Sequence, residues 1–417
     1  MPANGSILTM APMTDSIPGP WWFLALLLYT TFVLHILAVN AVAGVAFITL
    51  FSRLRTLISS ANRKTISSME EVALRVQASL LPKGVALLVN LAVPVLLFVQ
   101  VLYGMFIYSS SILMALYWIS IMLVVMAAYY GLYINTATRT LSGNARTAAL
   151  FFSVLLLMAN AFILVNNTVL MQSPPLWSAY AHTSGGTLLA LADPQVLPRW
   201  LHALLSCVAV GGLCIAVPAN RRLKHTATER IPDPLQEHAE ARTRQGLLWF
   251  SAATFLQLPV GSWFLLSLPK EQQMLFMGGH LPSTILFAAS LLLLIFALFS
   301  AHKRRPLHAA AATILMVAFM GGMRHFLRSS YLDPYYAPLM RDFVLGPVLF
   351  FAAALLITTI IIVMAARAYS KGNGPAEEAD IMLKGENAAP IRELATCRET
   401  DAGTDTGQDP AQSGGGS

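Results

Sequence analysis

The sequence predicts an all-α integral membrane protein, a bundle of about nine transmembrane helices with its N-terminus outside and its C-terminus in the cytoplasm. Three observations predict this. Of 417 residues only 11% are charged and 56% are hydrophobic, against roughly 25% and 45–50% in soluble domains. The mean hydropathy is +0.63, and the charges collect in short clusters between long apolar runs. Most of the basic residues fall in alternate connectors, which is the bias that sets membrane orientation.

Roughly 20 apolar residues cross about 30 Å of hydrocarbon as a helix, and the runs, taken in order, meet that length. Trp21–Phe51 is followed by Arg53, Arg55, Arg63 and Lys64. Gly84–Tyr108 and Ser111–Ile134 lead to Arg139 and Arg146. Thr147–Met171 and Arg199–Val217 lead to Arg221, Arg222 and Lys224. Gly246–Leu268 and Leu281–Ala301 lead to Lys303, Arg304 and Arg305. Leu307–Phe326 and Phe343–Ala366 lead to Arg367 and Lys371. Placing these five basic connectors in the cytoplasm puts the N-terminus outside. Residues 1–20 are polar, with no basic n-region or cleavage signal, so the first run is expected to remain. The bundle then occupies residues 21–369, and 370–417, rich in Gly, Ala, Glu and Asp, read as a disordered cytoplasmic tail. The expected location is a bacterial inner (cytoplasmic) membrane, which the chain crosses several times.

Composition also excludes function classes. Three cysteines supply neither a disulfide framework nor a Cys-rich metal site, and no Cys-x-x-Cys-His motif attaches a c-type haem. The net charge of +7 marks loops on one side of a bilayer rather than a nucleic-acid surface. No Asp or Glu occurs between Glu71 and Asp193, nor within any later run. Proton pumps and oxygen-reducing sites need buried carboxylates to carry protons, so this pattern argues against both.

Ionisable residues inside a bilayer are costly and mark function by default, and histidine is what these runs retain. His35 lies near the middle of the first run, about 20 Å along the helix from Trp21. His202 sits one turn inside the outer end of the fifth run, His280 at the outer start of the seventh, and His325 at the outer end of the eighth. Haem iron accepts neutral imidazole or a Met thioether, so the four histidines are candidate metal ligands. Met320 and Met323, with Met316, form a thioether stripe on the eighth run, and Met277 lies just before His280. Arg199, Arg324 and Arg328 share the outer level, where guanidinium groups pair with haem propionates. The plainer readings are a hydrogen-bonding histidine, a packed Met stripe and an arginine that snorkels to phosphate.

Two stretches resemble subunit I of the cytochrome bd quinol oxidases. Phe32-Val33-Leu34-His35-Ile36-Leu37 is similar to that family's first helix, and Asp193-Pro194-Gln195-Val196-Leu197-Pro198-Arg199-Trp200-Leu201-His202 to its fifth. The resemblance implies haem ligation by His35 and His202 on a nine-helix fold. It also shows departures. The family's glutamates in helices two to four, its Gly-Arg-Gln-Pro-Trp motif and its long quinol-binding loop have no counterpart here. Its eighth-helix glutamate ligand gives way to the Met320–His325 region.

These readings lead to an expected haem b electron-transfer subunit carrying one to three haems. It would pass electrons between membrane quinone and a c-type, or multihaem, cytochrome on the outer face without reducing oxygen. Such a chain would serve as part of a quinol:cytochrome c oxidoreductase, alongside other membrane subunits and in contact with lipid, with no role for nucleic acid. The alternative is a cofactor-free transporter or a scaffold subunit of a respiratory complex. In that case Asn90, Gln100, Asn160, Asn166, Asn167 and Gln257 would line a polar path.

Overall fold

The computed structural model describes residues 19–61, 68–137, 141–182, 185–229 and 233–335, with nine helical positions between Gly346 and Arg367. Residues 1–18, the tail from 370 onward and most of the expected ninth span lie outside the described residues. Eight helices are long and apolar enough to cross a membrane. They are α1 (Trp21–Ala61), α2 (Ser68–Leu113), α3 (Ala115–Thr136), α4 (Gly143–Gln172), α5 (Val196–Glu229), α6 (Asp233–Ser267), α7 (Leu281–His302) and α8 (Pro306–Leu332). These nine positions, eight of them in the expected ninth span, belong to a second unit, residues 344–417, and are all exposed.

Several helices outrun their apolar segments. α1 has 41 residues and α2 has 46, each about 60 Å or more at 1.5 Å per residue and so about twice the hydrocarbon thickness. Hydropathy sees only the part in lipid. No proline or glycine interrupts Ser52–Ala61, so α1 continues through its basic residues into water. The polar start of α2 carries Glu70 and Glu71 in its first turn, where carboxylates complement the helix dipole. Pro94 lies inside α2, and the helix kinks at Tyr103 (φ −134°, ψ 33°). Between α6 and α7 the chain makes a five-residue helix, Lys270–Met274, then a π turn, Leu275–Gly279. Gly278 at φ 105° closes that turn with a backbone conformation that L side chains avoid.

The lipid-facing surface is plain in the exposed side chains. Met122, Leu266 and Leu292 are each about 70% exposed; such large apolar faces are not tolerated in water. The finish of α1, α3, α5 and α7 carries the basic connectors and is called here the basic end; the other is the histidine end. At the basic end the core divides. Ala46, Leu50, Leu81, Val85, Leu132, Leu150 and Val154 join α1–α4, and Ala209, Leu213, Phe250, Ala297 and Ala312 join α5–α8.

One glycine contact links these two four-helix groups, and a second lies within the α5–α8 group. A Cβ on Gly44 of α1 would fall on the Cys207 carbonyl of α5, and one on Gly211 would collide with the Gly44 backbone. The same happens one residue on, between Gly212 of α5 and Gly246 of α6. Backbones that meet this closely gain dispersion contacts that lipid cannot replace, the usual basis of small-residue helix crossings in membranes. Beside the first crossing the buried Asn40 Oδ1 accepts from Ser206 Oγ at 3.2 Å and Cys207 Sγ at 3.3 Å. These contacts pair residue 40 with 206 and 44 with 211, so α1 and α5 run parallel and His35 and His202 share one depth.

Candidate functional site

The histidine end is built where α1, α5, α6 and α8 converge with the ends of α2 and α4. Arg199 and His202 lie one turn apart on α5, and Phe264 and Gly261 one turn apart on the antiparallel α6. The Arg199 guanidinium stacks on the Phe264 ring at 5.0 Å. The His202 ring packs against Gly261, where an added Cβ would lie at ordinary contact distance, 3.5 Å, from its Cε1 and Nδ1. Pro259, two residues earlier, removes one backbone N–H from the α6 ladder at this level.

Three arginines converge on this end. Arg199 donates to Gln172 Oε1 and to Gln195 Oε1, both at 3.0 Å, and Tyr331 OH donates to the same Gln195 oxygen at 3.3 Å. Arg324 lies over Phe32 at 4.9 Å and donates to Thr168 Oγ1 at 3.4 Å. Arg328, 9% exposed, lies over Tyr103 at 4.4 Å. Arg324 is within electrostatic range of both other guanidiniums. Asp193 is within range of Arg199, yet among the described residues none of the three forms an ion pair with a carboxylate. Arg199 Nε, Arg328 Nε, Trp21 Nε1 and His202 Nδ1 are buried with no hydrogen-bond partner. A buried donor without an acceptor costs about 1–3 kcal/mol, more when charged. Several such atoms stand here around three guanidiniums that form no ion pair with a carboxylate among the described residues.

The four histidines differ in which nitrogen they can offer. His35 Nδ1 lies 3.1 Å from the Leu88 carbonyl of α2. A carbonyl only accepts, so Nδ1 carries the proton and Nε2 keeps its lone pair, as an iron ligand must. His202 has no partner on Nδ1 and stays free to present either nitrogen. At His280, the N-cap of α7, Nδ1 lies 2.8 Å from Ser283 Oγ and accepts from Ser283 N at 3.4 Å. That places its proton on Nε2. His325 Nδ1 faces Arg328 Nη2 at 3.5 Å; a guanidinium only donates, so this contact favours the same Nε2–H tautomer. Its ring lies 5.6 Å from both Trp21 and Phe326, and the His280 ring lies 4.8 Å from Phe326. The structure therefore brings His280 and His325 together around Phe326. His35, against α2, and His202, against α6, lie on different helices at one depth.

The thioethers are less gathered. Met316 is buried and Met323 packs against Leu327, Leu268 and Phe276. Met320 is half-buried, and Met277 on the π turn is 55% exposed. Among the described residues no three of His, Cys, Asp and Glu form a metal-binding group. Axial haem ligation asks for only one or two protein ligands per iron, and the donor set here fits that demand: neutral imidazoles at depth, guanidiniums and indole N–H toward the surface. Gln172, Gln195, Thr168, Tyr331 and Trp21 were not anticipated from sequence. Gln195 lies inside the Asp193–His202 segment, so its place beside Arg199 was the one available signal.

Neither a family model nor a curated protein sequence matches the chain. Among solved structures the chain is similar to the bd oxidase from Geobacillus thermodenitrificans, with a TM-score of 0.63 and 12% identity, over 85% of this chain and 98% of that one. Identity that low speaks for the fold alone. The bd-like helical membrane architecture expected from the His35 and His202 segments is the one the chain adopts.

Proposed function

We propose that the chain is a haem b-binding electron-transfer subunit of a respiratory membrane, exchanging electrons between quinone and an outer c-type cytochrome without reducing oxygen. The observation that carries this is the cluster of orphaned buried donors around three arginines at the histidine end, with His35 held by Leu88 in the ligand tautomer. His35 and His202 are the residues proposed to hold iron, and Arg199, Arg324 and Arg328 to pair with propionates. A bound haem b supplies one-electron chemistry. The chain supplies neutral imidazoles, positive charge that favours an anionic group, and a carboxylate-free interior from residues 72 to 192, which offers no relay for the protons that oxygen reduction consumes.

Of the amides in the transporter reading, Asn160 Oδ1 and Asn166 Oδ1 are buried without a partner, while two others are locally accounted for. Asn90 donates to the Ala86 carbonyl of its own helix at 2.8 Å and is exposed, while Asn167 ties α4 to Ser110 Oγ of α2 at 3.2 Å. These are local satisfaction and helix glue, worth about 1 kcal/mol.

The test is a dithionite-reduced minus oxidised spectrum of the purified chain with haem counted per polypeptide. Sharp b-type bands at one or more haems per chain are expected; a featureless spectrum from haem-replete cells would return the protein to the transporter or scaffold class. His35→Leu is expected to lower the haem-to-protein ratio while the protein still inserts. An unaltered ratio would leave His35 as the interhelical hydrogen bond to Leu88 and nothing more.

A further inference from the structure

A second group of unsatisfied polar side chains lies at the opposite end of the molecule and is independent of the haem reading. One turn beyond Leu50 of α1 stands Arg53, one turn beyond Leu132 of α3 stands Asn135, and one turn before Leu150 of α4 stands Arg146. All three therefore lie at the basic margin of the α1–α4 core layer. Arg53 is 7% exposed and Asn135 is fully buried. Arg53 Nε, Arg146 Nε and both amide atoms of Asn135 are buried without a hydrogen-bond partner. The two guanidiniums are within electrostatic range of each other.

Nothing nearby in sequence neutralises them. The connectors 62–67 and 138–140 add Arg63, Lys64 and Arg139 and contain no carboxylate. Glu71 is within electrostatic range of Arg53, but it is exposed and paired with Arg75. A buried guanidinium and a half-buried one at the same margin of the layer, with an idle buried amide on α3, repel one another unless an anion joins them. The surroundings narrow its nature. Leu54 and Ile58 of α1 and Tyr133 and Ile134 of α3, all exposed, provide apolar faces at this margin, where acyl chains end and headgroups begin.

We propose that Arg53, Arg146 and Asn135 bind a phosphate group, carried by an anionic phospholipid headgroup whose acyl chains lie along α1 and α3. Guanidinium and amide N–H groups match phosphate oxygens, and basic pockets between helices on the positively charged side of membrane proteins hold such lipids. The same chemistry would accept free phosphate.

The experiment is a thermal-shift titration of the detergent-solubilised full chain with short-chain phosphatidylglycerol, phosphatidylcholine of equal chain length, and inorganic phosphate. Stabilisation by phosphatidylglycerol alone would identify the lipid, and an equal effect of inorganic phosphate would keep the anion site while replacing the lipid by the free ion. Arg53→Gln with Arg146→Gln should weaken the effective ligand by about fivefold per charge removed, and Arg53→Lys with Arg146→Lys should retain most of the response. Lys303→Gln with Arg305→Gln, which removes two exposed charges elsewhere at the basic end, should leave it unchanged. An identical response in the double glutamine variant, or an equal loss in the Lys303/Arg305 variant, overturns the site. Should the glutamine variant aggregate, Asn135→Leu decides: weaker binding supports the site, and unaltered binding refutes it.

Discussion

His202→Ala is expected to remove one haem from the chain while leaving the remaining b-type signal and membrane insertion intact. The expectation rests on the position of the ring. It lies inside the bundle against Gly261, one turn below Arg199, with Nδ1 buried and unpaired. An imidazole kept there for structure would be expected to hold a hydrogen bond, as His35 does with Leu88. The alternative has an opposite signature. If His202 binds nothing, alanine relieves an orphaned polar atom costing about 1–3 kcal/mol, partly offset by the cavity left behind. The spectrum would then stay the same and thermal stability would hold or rise. His202→Met separates the cases further, because a thioether can still ligate haem iron and raises its potential. Haem per chain retained in the methionine variant and lost in the alanine variant would establish ligation; equal spectra in all three proteins would refute it.

Gly211→Val is expected to abolish recovery of folded protein, and Gly211→Ala to lower its melting temperature strongly. The first added carbon already meets the Gly44 backbone. Overpacking a core commonly costs about 1–3 kcal/mol when side chains can shift, and here the obstacle is main chain in a neighbouring helix. Relief requires α1 and α5 to separate, which also breaks the Asn40 contacts with Ser206 and Cys207. Gly143→Ala is the control: nothing lies within 4 Å of its added carbon, and at the first position of α4, directly after the Ser142 N-cap, the change should leave stability unchanged or slightly raised. Matching melts for the Gly211 and Gly143 alanine variants, measured in one detergent, would show that the crossing is not close.

The histidines show how far the sequence reached into the site. His35 and His202 could be picked out because an ionisable residue in an apolar run is rare, and rarity is visible in one dimension. The depth they share depends on the Asn40–Ser206 contact between α1 and α5, and the nitrogen that His35 presents depends on Leu88, 53 residues along the chain. His280 and His325 matched the same pattern, yet Ser283 and Arg328 engage their Nδ1 atoms. The phosphate site was missed for a related reason. Arg53 and Arg146 belonged to basic connectors, and solvated loop charges look the same in sequence as charges folded under a helix end.

What the sequence determined by itself was the class and the eight described spans, because the cost of placing charge in hydrocarbon is a property of each segment and needs no neighbour. The carboxylate-free interior was equally legible, since an absent residue type is absent in any fold. Helix ends were not: α1 and α2 run well past their apolar segments because helix propensity and dipole continue where hydropathy stops. Only the tertiary structure decided which faces meet. The parallel crossing of α1 and α5 follows from backbone contact between Gly44 and Gly211, and the meeting of Arg199 with Arg324, 125 residues on, and the His35 contact with the Leu88 carbonyl likewise join segments far apart in the chain. Such contact depends on two distant segments together, and no local pattern encodes it.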